Sequence, residues 1–169
     1  MTATRAPVVL IDGVAAEVAA PPMSRVAWWL RDNGCPAVKV GCEEGSCGAC
    51  MILLDGEAVP SCLLPVGRLA DGARIETSAA LTEEPDGAEI VRSLAEESAV
   101  QCGFCTPGIV VSCVAAARSG DDLSEAGTTR AVLSSHVCRC TGYQAIVRSV
   151  TRAAATLAAV TPVAAAEGI

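Results

Sequence analysis

The chain has 169 residues, room for one large domain or two small ones. Hydrophobic residues make up 51% of it but aromatic ones only 2%, so its core must be filled by Ala, Val, Leu and Ile, which bury little area per residue and often need metal staples. A formal net charge of −7 argues against a nucleic-acid partner, the N-terminus shows no secretory apolar run, and the alanine-rich C-terminus is too short and weakly apolar for a membrane span. A cytoplasmic location is the expectation, and in that compartment ten cysteines read as metal ligands rather than disulfides.

In chain order, Val8 to Ile11 is a strand ending at the hairpin signal Asp12-Gly13, and Val14 to Ala20 returns. Pro21-Pro22 breaks the pattern. Ser24 is then placed to cap a helix with Val26, Trp29 and Leu30 at i, i+3, i+4, closed by Gly34. Trp28 falls off that apolar stripe, a candidate partner contact. Met51 to Leu54, Val59 to Leu63 and Arg74 to Thr77 are further strands, an order compatible with a β-grasp. Residues 1–78 are thus expected as one domain. Residues 79–88 are polar, with Pro85 and Gly87, and read as a linker. Beyond them helices are expected near 87–100, 107–119, 124–135 and 143–158. Ile90, Leu94 and Ala95 form one apolar stripe, and Ile146, Val147, Val150 and Leu157 another. Residues 89–160 therefore read as a four-helix domain and 161–169 as a loose tail.

Eight cysteines fall into two quartets. Cys42, Cys47 and Cys50 are spaced C-x4-C-x2-C with Cys62 further on, the plant-type ferredoxin signature for a [2Fe–2S] cluster. Gly41, Gly45 and Gly48 are expected to allow positive φ and let backbone N–H groups approach the sulfurs. Cys102 and Cys105 pair with a distant Cys138-Arg139-Cys140. Thr106-Pro107 suggests an N-cap and first helical position just after Cys105, and Thr141 a cap for the last helix, so two helix N-termini would face one anionic centre. Zinc stays an alternative at the second quartet, although Cys138 and Cys140 are too close together for a zinc-ribbon knuckle. Of the remainder, Cys113 lies in an apolar helix and reads as core, Cys35 as structural or exposed, and His136 as a polar loop residue near the second centre. Two such centres imply electron transfer, with no catalytic residue on this chain.

The segments Lys39 to Cys50, Ser61-Cys62-Leu63, Gln101 to Gly108 and Cys138 to Tyr143 closely resemble the small iron–sulfur subunit of the molybdenum hydroxylases, the xanthine dehydrogenase and aerobic carbon monoxide dehydrogenase family. The likeness runs over about residues 5 to 158. It implies an α+β chain: an N-terminal β-grasp, plant-type ferredoxin domain and a C-terminal all-α four-helix domain, with one [2Fe–2S] cluster in each. It implies a large subunit holding molybdopterin as the cytosine dinucleotide, a medium subunit holding FAD, and a dimer of heterotrimers. Electrons would pass from molybdenum to the Cys102/Cys105/Cys138/Cys140 cluster, then to the Cys42/Cys47/Cys50/Cys62 cluster, then to FAD. Gln101 matches the position that hydrogen-bonds the pterin, and Cys140 the ligand whose sulfur approaches it. The chain departs from the family in having Ser135-His136 for Gly-Asn and Met51 for Thr or Ser. The overall reaction would be hydroxylation of an N-heterocycle or aldehyde, or carbon monoxide oxidation, with water as oxygen source. Rival readings are a flavin-free aldehyde oxidoreductase subunit feeding haem or another carrier, a free-standing ferredoxin, and a zinc-stabilised interaction module.

Overall fold

The computed structural model describes residues 5–160, so the tail expected from Thr161 lies outside the described residues. Strands β1 (Val8–Ile11) and β2 (Val14–Glu17) form an antiparallel hairpin with Ile11 opposite Val14. Its turn residues Asp12 and Gly13 both have left-handed φ, 49° and 81°, the twist a two-residue hairpin requires. β2 stops short of Ala20 because the Ala19 N–H turns back to the carbonyl of Glu17. A second hairpin, β3 (Met51–Leu54) and β4 (Glu57–Pro60), turns at Asp55-Gly56 in the same way. β5 (Arg74–Glu76) slots between them, parallel to β1 and antiparallel to β3, giving the order β2-β1-β5-β3-β4. Both turn aspartates brace it: Asp12 accepts from the N–H of Thr77 at 2.6 Å, and Asp55 from that of Arg74 at 2.8 Å.

Helix α1 (Val26–Asp32) lies on this sheet and buries Val26, Ala27, Trp29 and Leu30 against Val9, Ile52, Val66 and Ile75, the β-grasp arrangement. Ser24 does not cap it. The N–H groups of Val26 and Ala27 donate instead to the carbonyls of Leu64 and Ser61, so the chain after β4 satisfies the helix end. That segment leaves the sheet at Pro60, not at Leu63, to make these bonds.

β3 serves two cores. Successive side chains point to opposite faces of a strand, so Ile52 enters the core under α1 while Leu53 joins Leu81, Leu94, Ile109, Val110 and Val114 on the other side. The residues expected as a linker are therefore largely folded. α2 (Ser78–Leu81) is capped by the Thr77 hydroxyl, which accepts from the N–H of Ala79; Leu81 is fully buried, and α3 (Pro85–Glu96) begins at Pro85. Arg118 holds this segment through Asp86, at 2.8 Å, and Glu84. Gly87 packs so closely that an added Cβ would stand 2.0 Å from the Leu81 carbonyl oxygen.

Helices α4 (Thr106–Arg118), α5 (Ala126–Leu133) and α6 (Gln144–Val160) complete the second half. α4 is buried over its whole middle, Gly108 to Ala116, and packs on both the sheet and the helices. On α3 the inward face is Ile90, Ser93 and Leu94, with Ala95 exposed; the Ser93 hydroxyl donates to the Ser149 carbonyl at 2.8 Å, which makes its burial affordable in place of Ala95. Ile146, Val147 and Val150 are buried as the apolar pattern predicts, with Leu157 half-buried. No described helix is long and apolar enough to cross a membrane.

Candidate metal centres

Between α1 and β3 the chain runs without helix or strand from Asn33 to Cys50. The loop is pinned by buried Val38, whose carbonyl accepts from Arg31 at 2.8 Å. Cys50 is buried at the root of β3; the Ser61 hydroxyl donates to its carbonyl at 2.6 Å, and the N–H of Cys62 points at its Sγ at 3.4 Å. Cys50 and Cys62 form one thiol pair, and Cys42 and Cys47 another. Burial and the Cys50 thiol push Cys62 up to about 11, whereas at Cys42 the upward push of burial is outweighed by the Glu44 N–H, the Ser46 hydroxyl and Cys47, bringing it down to about 6. Gly45 and Gly48 have positive φ as expected. Gly41 does not. Its Cβ would meet Cys47 Sγ at 3.2 Å and Phe104 Cε1 at 3.3 Å, so close approach accounts for this glycine. The loop's one left-handed residue that is not a glycine is Glu43, with φ 58°, a position sequence reasoning did not single out.

The second quartet also stands two and two. Cys102 and Cys140 are exposed with their sulfurs 3.5 Å apart, and buried Cys105 faces buried Cys138. Burial and the Cys138 thiol push Cys105 up to about 12; Cys138 itself is lowered, the opposing burial being overcome by the Thr141 hydroxyl at 3.1 Å and the N–H groups of Cys140 and Thr141. Cys105 is itself the N-cap of α4 and Thr106 is already helical, so Thr106 is no cap and Pro107 is not the first helical residue. Thr141 accepts from the N–H of Tyr143, and α6 starts only at Gln144 after left-handed Gly142 and Tyr143. Tyr143 holds the loop closed: the Cys138 N–H donates to its hydroxyl at 2.7 Å, and that hydroxyl donates to the His136 carbonyl at 2.8 Å. Gln101 is exposed beside Cys102.

The two sites share one seam. The Val137 N–H donates to the carbonyl of Cys47 at 3.0 Å, and a Cβ on Gly108 would lie 2.0 Å from the carbonyl oxygen of Gly48. Phe104 reaches from the second site to Gly41 of the first, and the two walls enclose a groove of about 460 Å³ lined by Trp28, Lys39, Val40, Cys102 and Phe104. His136 lies in the loop before Cys138, as expected, and is buried in this seam; burial lowers its pKa, against the Gly108 and Val132 carbonyls that raise it. Cys113 is fully buried in the helical core, and Cys35 packs half-buried against the β-grasp core. Val137 and Tyr143 carried no individual signal in the sequence, because their roles lie in a backbone amide and a reach across a loop.

Four soft thiols standing as two pairs suit a binuclear iron–sulfide centre, which takes two sulfurs on each iron. Among the described residues, no three His, Cys, Asp or Glu side chains converge as around a single metal ion. A model of the 2Fe-2S iron-sulfur cluster binding domain matches residues 9–82, and a model of a [2Fe-2S] binding domain matches residues 77–151. The xanthine dehydrogenase iron-sulfur-binding subunit of Escherichia coli O157:H7 is 37% identical over 141 residues, covering 83% of this chain and 88% of that one. The chain belongs to the small iron–sulfur subunits of the molybdenum hydroxylase family. Among solved structures, this iron–sulfur subunit is similar to quinoline 2-oxidoreductase from Pseudomonas putida 86, with TM-score 0.78, 33% identity, and coverage of 91% of this chain and 94% of that one. It is also similar to aldehyde oxidoreductase from Desulfovibrio gigas, with TM-score 0.82 and 32% identity, where 94% of this chain covers only 18% of the longer one. It is thus an electron-transfer subunit of an oxidoreductase complex, with two [2Fe–2S] clusters.

Proposed function

We propose that this subunit relays electrons from molybdopterin cytosine dinucleotide on a large subunit to FAD on a medium subunit, within a cytoplasmic dimer of heterotrimers. The observation that carries the reading is the single hydrogen bond from the Val137 N–H to the Cys47 carbonyl, which joins the backbones of the two quartets. Cys102, Cys105, Cys138 and Cys140 would hold the cluster nearer molybdenum, and Cys42, Cys47, Cys50 and Cys62 the one nearer flavin. When bound, each cluster supplies a one-electron carrier. The chain's own residues bind, space and screen these carriers. Cys42/Cys47 and Cys50/Cys62 would each take one iron, as would Cys102/Cys140 and Cys105/Cys138. The exposed amide of Gln101 can donate to and accept from a heterocycle edge, and the exposed Cys140 sulfur stands 3.5 Å from that of Cys102, the residue that follows Gln101 in the chain. Substrate oxidation, whether of an N-heterocycle, an aldehyde or carbon monoxide, then falls to the large subunit.

The likeness to aldehyde oxidoreductases favours a second reading, a flavin-free complex that feeds haem or another carrier. One purification tests both. Iron, acid-labile sulfide, molybdenum and flavin are assayed with the co-eluting chains, and EPR is recorded after dithionite reduction. Two distinct rhombic signals with molybdenum and FAD are expected. Both signals with molybdenum but no flavin select the second reading, and a colourless, sulfide-free complex overturns both.

A further inference from the structure

We propose that His136 is a positioning residue that holds the two iron–sulfur sites at their working separation; the assignment rests on the relay reading above. It is the chain's only histidine and is 3% exposed. Its ring is clamped between two hydroxyls, with Nε2 3.2 Å from Ser112 Oγ on α4 and Nδ1 3.1 Å from Ser135 Oγ. The edge of the ring lies where a side chain on Gly48 would go: a Cβ there would stand 2.6 Å from His136 Cδ2. The imidazole therefore touches the loop between Cys47 and Cys50 on one side and, on the other, helix α4, whose N-cap is Cys105.

The backbone of the same residue works on the second site. Its carbonyl accepts from the Tyr143 hydroxyl, which in turn accepts from the Cys138 N–H, and the next residue's N–H donates to the Cys47 carbonyl. One side chain thus fixes the place of Gly48 while its main chain fixes Cys138, and the bond from Val137 to Cys47 depends on both. A smaller residue would remove the ring that packs against Gly48 beside its contact with α4, freeing the loop to shift and change the spacing of the two quartets without removing a ligand. Ser112 selects the ring's orientation from α4 and is buried with it.

The test uses the assembled complex carrying His136→Ala, His136→Gln or Ser112→Ala. EPR of the dithionite-reduced protein reads the spin–spin splitting between the two clusters, and rapid-mixing spectroscopy reads electron transfer from one to the other. Iron and acid-labile sulfide are expected to stay at the wild-type level in His136→Gln and Ser112→Ala, with altered splitting. Transfer is expected to slow severalfold in His136→Ala, with partial recovery in His136→Gln. If His136→Ala does not assemble, Ser112→Ala decides: altered splitting supports the assignment and unchanged splitting overturns it. Full iron with wild-type splitting and rate in both alanine variants overturns it while leaving the relay reading intact. A wild-type complex without iron and labile sulfide overturns the relay reading, and this assignment with it.

Discussion

The indole nitrogen of Trp28 donates to Oε2 of Glu43 across 3.1 Å, tying helix α1 to the one non-glycine residue of the first cysteine loop that has a left-handed backbone. The bond explains a tryptophan that sits off the apolar stripe of its helix and is 44% exposed. A left-handed glutamate costs conformational energy, and an anchored side chain helps to hold it. Trp28→Phe keeps most of the ring and removes the donor. We expect a loss of no more than about 1 kcal/mol, because the pair is exposed to solvent, together with faster loss of iron from the first site under chelator. Urea denaturation and timed iron release check the two parts.

Three glycines separate backbone strain from steric exclusion. Gly13 has φ 81° but open space around it, so Gly13→Ala should cost about 1–2 kcal/mol and leave both clusters intact. Gly108 lacks the positive φ but has the Gly48 carbonyl 2.0 Å from its Cβ position, so Gly108→Ala must part α4 from the first loop. We expect a loss of about 3 kcal/mol or more. Gly48→Ala combines both faults and should be the worst of the three. Cluster content and denaturation midpoints of the purified variants would contradict this order if Gly13→Ala proved the most damaging.

Cys47→Ser should empty one centre and spare the other. Its side chain belongs to the Cys42 pair, while the carbonyl that receives the Val137 N–H remains in place. The expected result is one rhombic EPR signal, about half the wild-type iron as two clusters become one, and a second cluster still reduced by substrate. Reduction of the terminal acceptor should slow sharply. Loss of both signals would show that the two sites do not fold independently of each other's metal.

Cys113 gives an alkaline limit to stability. Burial pushes its thiol from 9.0 up to about 12. A raised thiol contributes no pH dependence below 9, where it is protonated in both folded and unfolded chains. Between pH 9 and about 12 only the unfolded chain ionises, so stability falls as pH rises through that window. Thermal melts of the cluster-loaded protein from pH 8 to 10.5 should show this decline, and Cys113→Ala should flatten it at the cost of a small cavity. An unchanged alkaline slope in the variant would rule out Cys113 as its source.

Much of the fold was legible from residue order. Asp12-Gly13 and Asp55-Gly56 announced two hairpins, alternating and helical patterns placed all five strands and five of the six helices, and the spacing of eight cysteines separated two centres before any contact was known. Turn chemistry, side-chain period and the tight loop of Cys42, Cys47 and Cys50 are local and act within a few residues, whereas Cys62 and the pairing of Cys102 and Cys105 with Cys138 and Cys140 were read from spacing over longer stretches. Only the tertiary structure decided that residues 79–88 are folded rather than a linker, because the signal there is Leu81 entering a core built by α4 and the far face of β3. It alone replaced a Ser24 cap with the carbonyls of Ser61 and Leu64, and brought His136, Gly108 and Val137 against the loop of Cys47. Each of those is a backbone group, a glycine or a single buried ring meeting a partner distant in sequence, and composition carries no trace of such a meeting.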